Sequence, residues 1–210
     1  MAKKWTNKNL PGALHFVTGN VNKRKPVFNQ EFACKAFLEE FQALKTKMEC
    51  RLIAFVLMPD HFHFVINPRD GNIQEWTGAL KSLSAKRLVK ICPADWLVKN
   101  AEEHQVWQES FKALPLWSSW MIWQKINYVH ANPLKAGLVK STKDYRWSSF
   151  HSFYGQEIDP LLAVDKEWWW PDDVQKLAKA MYEWEKEVEN KWQKERGGRA
   201  TLPDLQMLLA

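Results

Sequence analysis

Cysteine is scarce in this 210-residue chain, which contains only Cys34, Cys50 and Cys92. The three are widely spaced and form no Cys-x-x-Cys pair, so they do not indicate a zinc or dithiol redox site, and buried free thiols are expected. Eighteen consecutive apolar residues occur nowhere, which argues against a membrane-spanning helix. No apolar run follows the charged first residues, so we expect a cytoplasmic protein.

Acidic residues are also scarce in the first three quarters of the chain. Residues 1–155 carry 22 Lys and Arg against 12 Asp and Glu, whereas residues 156–210 carry 8 against 12. A basic surface of this kind favours nucleic acid as a partner, and a surface that serves only solubility is the alternative. Hydrophobic residues make up 46% of the chain, which excludes intrinsic disorder and predicts one folded core.

Hydrophobic periodicity predicts strands and helices in alternation up to residue 130. Turn residues mark the breaks, among them Pro59 between two short apolar runs, which predicts a β-hairpin. The predicted elements are a strand over 14–21, a helix over 30–48, hairpin strands over 51–57 and 61–67, a helix over 73–91, a possible strand over 106–111 and a helix over 117–130 that Pro133 ends.

The composition changes near residue 156. Three tryptophans at 168–170 precede an acidic helix-opening signal, and a charged helix is predicted from there to about residue 196. We therefore predict a core domain over 1–155 and a charged helical C-terminal extension over 156–210. This helix could cover the basic face as a brake, or bind another copy or a host protein. Truncation after Gly155 that changes neither activity nor oligomeric state would discard both hypotheses.

The tripeptide His61-Phe62-His63 opens the second strand of the predicted hairpin. Residues i and i+2 of a strand project from the same face, so the two imidazoles could share one metal ion while Phe62 faces the core. A half-buried pair of hydrogen-bonded histidines is the alternative interpretation.

Tyr128 and Asn132 lie four residues apart in the last predicted helix, and therefore on one helix face. A metal ion near the Asn132 amide oxygen would also lie near the phenol of Tyr128. Two histidines and one amide oxygen leave coordination positions open for phosphate oxygens or water, as catalytic Mg²⁺ or Mn²⁺ requires. Nucleophilic attack by the Tyr128 phenol would need a neighbouring base to take its proton. His130 lies on a different helix face from Tyr128, so we interpret it as a structural or DNA-contacting residue rather than as this base.

Five short motifs occur in order along the chain. They are Met58-Pro-Asp-His-Phe-His-Phe-Val-Ile66, Leu80-Lys-Ser-Leu-Ser-Ala-Lys-Arg87, Val106-Trp-Gln108, Tyr128-Val-His-Ala-Asn-Pro-Leu-Lys-Ala-Gly-Leu-Val139 and Asp144-Tyr-Arg-Trp-Ser-Ser-Phe150. Together these motifs resemble those of the single-tyrosine HUH transposases, and in particular of the REP-associated tyrosine transposases. The resemblance covers roughly residues 12–155, and Asp60 stands where the family more often has asparagine.

This resemblance implies an α+β fold, a ferredoxin-like antiparallel sheet with helices packed on one face, to which the helical C-terminal extension is added. It implies metal ligands at His61, His63 and Asn132, holding Mg²⁺ or Mn²⁺, and a nucleophile at Tyr128. The implied substrate is single-stranded DNA beside a hairpin of the REP type. Cleavage would form a covalent 5′-phosphotyrosine and release a 3′ hydroxyl, which allows later rejoining.

The sequence and the resemblance together give expectations about partners. A protein of this kind needs no membrane, associates with the nucleoid when bound to DNA, and could be a monomer or a homodimer. Two basic clusters are candidate phosphate contacts, and a solvated surface is the alternative for each residue. The first follows the first strand and consists of Lys23, Arg24 and Lys25; the second lies on the second long helix and consists of Lys81, Lys86 and Arg87.

Two other functions stay open at this point. One is a domesticated nucleic-acid-binding protein that keeps the sheet and the basic surface but no longer cleaves DNA. The other is a metal-dependent hydrolase unrelated to DNA, in which the histidines activate water. This second alternative leaves Tyr128 and the basic surface without a role.

Overall fold

The structure is a computed structural model that describes residues 7–93, 98–99, 104–154 and 162–167. The helix predicted within the C-terminal extension lies outside these residues. The described elements are β1 (Leu14–Asn20), α1 (Glu31–Lys47), β2 (Cys50–Met58), β3 (His61–Pro68), α2 (Ile73–Ile91), β4 (Val98–Lys99), β5 (His104–Gln105), β6 (Lys112–Leu116), α3 (Ser119–Lys135) and α4 (Phe150–Tyr154).

Four of the strands form one sheet in the order β2-β3-β1-β6, and β4 pairs with β5 in a separate ribbon. Every neighbouring pair in the four-stranded sheet is antiparallel. The units β1–α1–β2 and β3–α2–β6 each cross over one intervening strand, which is the ferredoxin-like arrangement. The predicted α+β, ferredoxin-like fold is therefore confirmed.

The main core lies between this sheet and the helices α1 and α2. The ring of Phe37 stacks on that of Phe62 at 5.6 Å, and the rings of Phe41 and Phe64 lie 4.6 Å apart, all distances between centroids. Each fully buried phenylalanine contributes about 2–3 kcal/mol through its removal from water. Gly19 on β1 pairs with Phe62, and a Cβ at this position would lie 2.3 Å from the Phe62 ring, so only glycine fits.

The opposite face of the sheet carries α3, which corrects the expectation that all helices pack on one face. Phe16 on β1 and His63 on β3 project to this second face, and the Tyr128 ring on α3 contacts both of them. The reason lies in β2 and β3, whose side chains are buried on both faces and therefore need cover on both. Periodicity identifies the apolar side of a helix but not the sheet face that it covers.

Two prolines lie inside elements where the sequence predicted breaks. Pro115 is part of β6, an edge strand, where a missing N–H does not interrupt the sheet because it can face away from the only neighbour. Pro133 lies in the last turn of α3, which continues to Lys135. A proline there removes one helical hydrogen bond close to the end, so the cost is small. The strand predicted over 106–111 is wrong. Within that range only Trp107 forms an isolated bridge, with Val21, and the edge strand is Lys112–Leu116 instead.

The described residues 162–167 contact this core along β2. Leu162 is fully buried in the main core, and the Asp165 carboxylate accepts a hydrogen bond of 2.8 Å from the Leu52 amide. The same carboxylate pairs with Lys45 of α1 at 2.7 Å. This part of the predicted extension therefore packs on the sheet.

The three cysteines are buried and free, as expected from their spacing. Among the described helices, none combines the length and the apolar character that crossing a membrane would need.

Candidate active site

His61 and His63 lie at the start of β3 with both rings on the α3 face, 4.8 Å apart between centroids. The Nδ1–H of His61 donates to Asp60 Oδ1 at 2.6 Å, and His63 Nδ1 is hydrogen-bonded with the Thr18 hydroxyl at 2.8 Å. Because these contacts occupy both Nδ1 atoms, the Nε2 atoms are the candidate metal ligands. A carboxylate or hydroxyl behind the ligand histidine is the usual support of such a site.

Burial favours the neutral form of both imidazoles. Burial lowers the pKa of His61 and outweighs the opposing effect of Asp60. Burial also lowers the pKa of His63 to about 3, and the neighbouring charges of Arg24 and Lys125 act in the same direction. Neutral imidazole is the form that binds a metal ion, so no proton has to be displaced at neutral pH.

Helix α3 brings Tyr128 to these histidines. The Ser118 hydroxyl caps this helix by accepting a hydrogen bond from the Met121 amide at 3.2 Å. Three turns later, the half-buried ring of Tyr128 lies 5.4 Å from that of His63 and 5.6 Å from that of Phe16, both nearly perpendicular. The candidate nucleophile and the candidate ligands therefore share one face of the sheet.

Asn132 lies one helical turn after Tyr128. Its side-chain nitrogen donates a hydrogen bond of 2.9 Å to the Tyr128 carbonyl. The amide oxygen is therefore the side-chain atom that can coordinate a metal ion. The structure thus joins His61, His63 and Tyr128 by direct ring contacts and connects Asn132 to them through one turn of α3.

The donor set fits a divalent ion with open coordination positions. Within the described ranges, no group of three or more His, Cys, Asp or Glu side chains is placed to hold a metal ion. Two neutral imidazoles and one amide oxygen would supply three ligands, and phosphate oxygens or water would complete the shell. The support of both Nδ1 atoms by Asp60 and Thr18 agrees with this assignment.

Asp60 connects His61 to the basic turn that follows β1. Its Oδ2 pairs with Arg24 Nε at 2.7 Å, and Arg24 Nη1 donates to Asn20 Oδ1 at 2.5 Å. Lys23 and Arg24 adopt φ angles of 52° and 55°, a left-handed conformation that costs side-chain-bearing residues about 1 kcal/mol or more each. Through Asp60, Arg24 thus helps to hold His61 in place, a role that was not predicted from the sequence.

Replacement of Asp60 by alanine is predicted to weaken divalent metal binding roughly 10- to 100-fold, because His61 loses the group that fixes its tautomer and orientation. Titration of the full-length protein with Mn²⁺, followed by the electron paramagnetic resonance of the free ion, measures this affinity. Asp70→Ala removes an exposed carboxylate at the far end of β3 and serves as the matched control. Equal Mn²⁺ affinities in the two variants would refute a supporting role for Asp60.

The second basic cluster does not lie at this site. Arg87 pairs with Glu39 and Glu40 of α1, on the sheet face opposite α3. Lys81 donates to backbone carbonyls of the segment before β6, and burial lowers its pKa to about 8. Lys86 is exposed on the same helix. Two of these three cations therefore stabilise the fold directly.

His130 packs α3 against Ser149 and α4. It is buried, and its Nε2 is hydrogen-bonded with the Ser149 hydroxyl at 2.8 Å. Its ring also contacts Phe150 and Phe153. The structural role preferred from the sequence agrees with this position, and His130 makes no described contact with Tyr128.

Sequence analysis missed Thr18 and Lys125, which both contribute to the site. Strand alternation offered a signal for Thr18, because residues 16, 18 and 20 of β1 share one face. For Lys125 the signal was a lysine three residues before Tyr128, on the apolar side of α3. Its nitrogen lies 5.5 Å from the centre of the Tyr128 ring.

These features define a class of protein, in which a ferredoxin-like sheet presents a His-x-His pair to a tyrosine on the helix that covers it. A family model described as Transposase IS200 like matches residues 12–132. The chain belongs to this family of transposases.

Similar proteins support the resemblance to the REP-associated branch. A Haemophilus influenzae protein named as a REP-associated tyrosine transposase is 25% identical over 154 residues, which cover 71% of this chain and 86% of the relative. The solved structure of a REP-associated tyrosine transposase bound to a REP hairpin has a TM-score of 0.63 and 18% sequence identity. That match covers 82% of this chain and 93% of the solved chain, and it agrees with the fold described above.

Proposed function

We propose that this transposase cuts and rejoins single-stranded DNA, with Tyr128 as the nucleophile and a divalent metal ion held by His61, His63 and Asn132. The observation that carries the proposal is the contact between the half-buried Tyr128 ring and the His63 ring, 5.4 Å between centroids. A phosphate bound beside the Nε2 atoms would therefore lie close to the phenol, and such proximity supplies a large part of catalysis.

The proposed chemistry is a transesterification. When bound, Mg²⁺ or Mn²⁺ would polarise the scissile phosphate. Tyr128 Oη forms a bond to phosphorus while the bond from phosphorus to the 3′ oxygen breaks. The phenol proton passes to solvent, and the leaving 3′ oxygen takes up a proton. The 5′ phosphate stays on Tyr128, so attack by a 3′ hydroxyl can reverse the step without another energy source.

The proposed substrate is single-stranded DNA beside a hairpin of the REP type, in the cytoplasm where the nucleoid lies. Two comparisons support this choice: the name of the Haemophilus relative and the REP hairpin bound to the solved relative.

The domain organisation is also a proposal: a core domain over residues 1–155 and an extension over 156–210. The protein is proposed to act as a monomer or a homodimer.

The first basic cluster is the proposed phosphate contact, because it adjoins Asp60 at the histidine end of the sheet. The proposal rests on Lys23 and Lys25, since Arg24 supports the site. Joint replacement of the two lysines by alanine is predicted to reduce the slope of log Kd against log salt by about 1 to 2. Lys47→Ala, an exposed lysine on α1, is the control. An unchanged slope in the double variant would remove this contact from the proposal.

A denaturing gel tests the proposed function. The full-length protein is incubated with labelled single-stranded oligonucleotides that cover the repeats flanking its gene, with Mg²⁺, Mn²⁺ or a chelator. We expect a covalent protein–DNA band that requires the metal and is absent with the fully paired duplex. Binding without a covalent band in every metal would instead identify a domesticated DNA-binding protein, and cut DNA without the band would identify a hydrolase.

A further inference from the structure

Lys125 is a lysine buried inside the sheet–helix interface beside the candidate nucleophile. It lies on α3, one turn before Tyr128, and only 3% of its surface is exposed. Its nitrogen lies 5.0 Å from the centre of the Phe16 ring and 5.5 Å from the centre of the Tyr128 ring. The position is one where the helix otherwise buries apolar residues such as Ile122 and Val129.

Keeping a cation at this position is costly for the fold. Removal of an ammonium group from water is unfavourable unless neighbouring groups compensate. The faces of the Phe16 and Tyr128 rings attract a cation and offset part of this cost. Burial accordingly lowers the pKa of Lys125. Helix α3 keeps a charged group rather than an apolar side chain next to the Tyr128 ring at this position.

A second lysine lies near the Tyr128 ring but is exposed to solvent. Lys135 places its nitrogen 5.3 Å from the centre of the Tyr128 ring, but this residue is exposed. Solvent and salt screen an exposed charge, whereas a buried charge acts at low effective dielectric constant. Of the two lysines, Lys125 therefore exerts the stronger field on the phenol.

We propose that Lys125 is a positioning residue of the cleavage reaction, whose buried ammonium group stabilises the negative charge that the Tyr128 oxygen carries during attack on the phosphodiester. The inference rests on the proposed function. A phenol must give up its proton to attack phosphorus, and it leaves as a phenolate when the strand is rejoined. A fixed cation beside the ring favours both steps without forming or breaking a bond itself, as preorganised charges in active sites generally do.

A purely structural role predicts different behaviour. If Lys125 only anchors α3 through its contacts with Phe16 and Tyr128, its loss should lower the melting temperature and impair DNA binding and cleavage together. If it serves the reaction, Lys125→Met should slow cleavage while the affinity for DNA stays at the wild-type level, and Lys125→Arg should recover part of the rate.

The test compares wild type, Lys125→Met, Lys125→Arg and the exposed control Lys47→Met as full-length proteins. Single-turnover formation of the covalent adduct is measured with saturating single-stranded DNA from the flanking repeats, together with the Kd for this DNA and the melting temperature. We expect Lys125→Met to slow adduct formation on the order of 10- to 100-fold, with an unchanged Kd. Lys125→Arg should recover part of the rate, because it keeps the charge.

Each other outcome has a definite meaning. Lys125→Met that forms the adduct at the wild-type rate would overturn the inference and leave the proposed function intact. A slower rate accompanied by a lower melting temperature and a weaker Kd, with no recovery in Lys125→Arg, would overturn it in favour of the structural role. Failure of the wild type to form an adduct would refute the proposed function, and the inference with it.

Discussion

Tyr128→Phe is expected to abolish the covalent protein–DNA adduct, with a loss of at least about 10³-fold in cleavage. Phenylalanine keeps the ring that packs against His63 and Phe16 and removes only the phenol oxygen. The fold and the metal affinity should therefore stay as in the wild type. Quantification of the adduct on a denaturing gel, beside a Mn²⁺ titration of the same preparation, measures both properties.

The other described tyrosines offer a control for this experiment. Tyr154 is exposed on α4, so Tyr154→Phe should form the adduct at the wild-type rate. Tyr145 donates its hydroxyl hydrogen to the Leu57 carbonyl at 2.8 Å, and burial raises its pKa, so it is a poor nucleophile. Adduct formation by Tyr128→Phe would show that another residue attacks the DNA.

His63→Ala is expected to weaken Mn²⁺ binding by more than about 100-fold, beyond the loss predicted for Asp60→Ala, because a ligand itself is removed. Cleavage should fall with it, since the phosphate would no longer be polarised. His63 is buried between Phe16 and Tyr128, so its loss also leaves a gap beside the nucleophile. The same Mn²⁺ titration, together with the melting temperature, separates lost coordination from lost packing.

Two further variants make this prediction decisive. His61→Ala removes the more exposed ligand and should give the same metal defect with less disturbance of the core. His151→Ala removes a half-buried histidine of α4 whose described hydrogen bond is to the Lys143 carbonyl, and it should bind Mn²⁺ like the wild type. Wild-type metal affinity in both His63→Ala and His61→Ala would rule out the histidine pair as the metal site.

Much of the fold could be predicted because local patterns determine it. The helix predicted over 30–48 is found as Glu31–Lys47, and that over 73–91 as Ile73–Ile91. The hairpin around Pro59 is also confirmed, since a proline in a turn and two apolar runs leave few alternatives. Strand geometry alone predicts that His61 and His63 lie on the same face of the sheet, and the contact between their rings confirms this.

Features that depend on distant contacts could not be predicted in the same way. The strand containing Pro115 was missed because proline is tolerated only when the strand is at an edge, and the sheet order reveals the edge. The ion pairs of Arg24 and Arg87 join residues far apart in sequence. A basic cluster therefore resembles a phosphate contact in the sequence even where, as with Arg87, its charge is paired within the protein.

The position of α3 shows the same limit within the candidate site. Helical spacing predicted that Tyr128 and Asn132 share a face, and the hydrogen bond between them agrees with this. It did not predict that this helix covers the sheet face opposite α1 and α2, next to His63. The fixed spacing of helices and strands gives the residues on each face, whereas packing of both faces of β3 decides which faces meet.

The most direct test of the account is the identity of the residue joined to DNA. The adduct is digested with nuclease and trypsin, and the peptides are sequenced by mass spectrometry. We expect a nucleotide linked through its 5′ phosphate to Tyr128 in the peptide that spans residues 126–135. A nucleotide on a different residue, or a 5′ phosphate released free with no modified peptide, would contradict it.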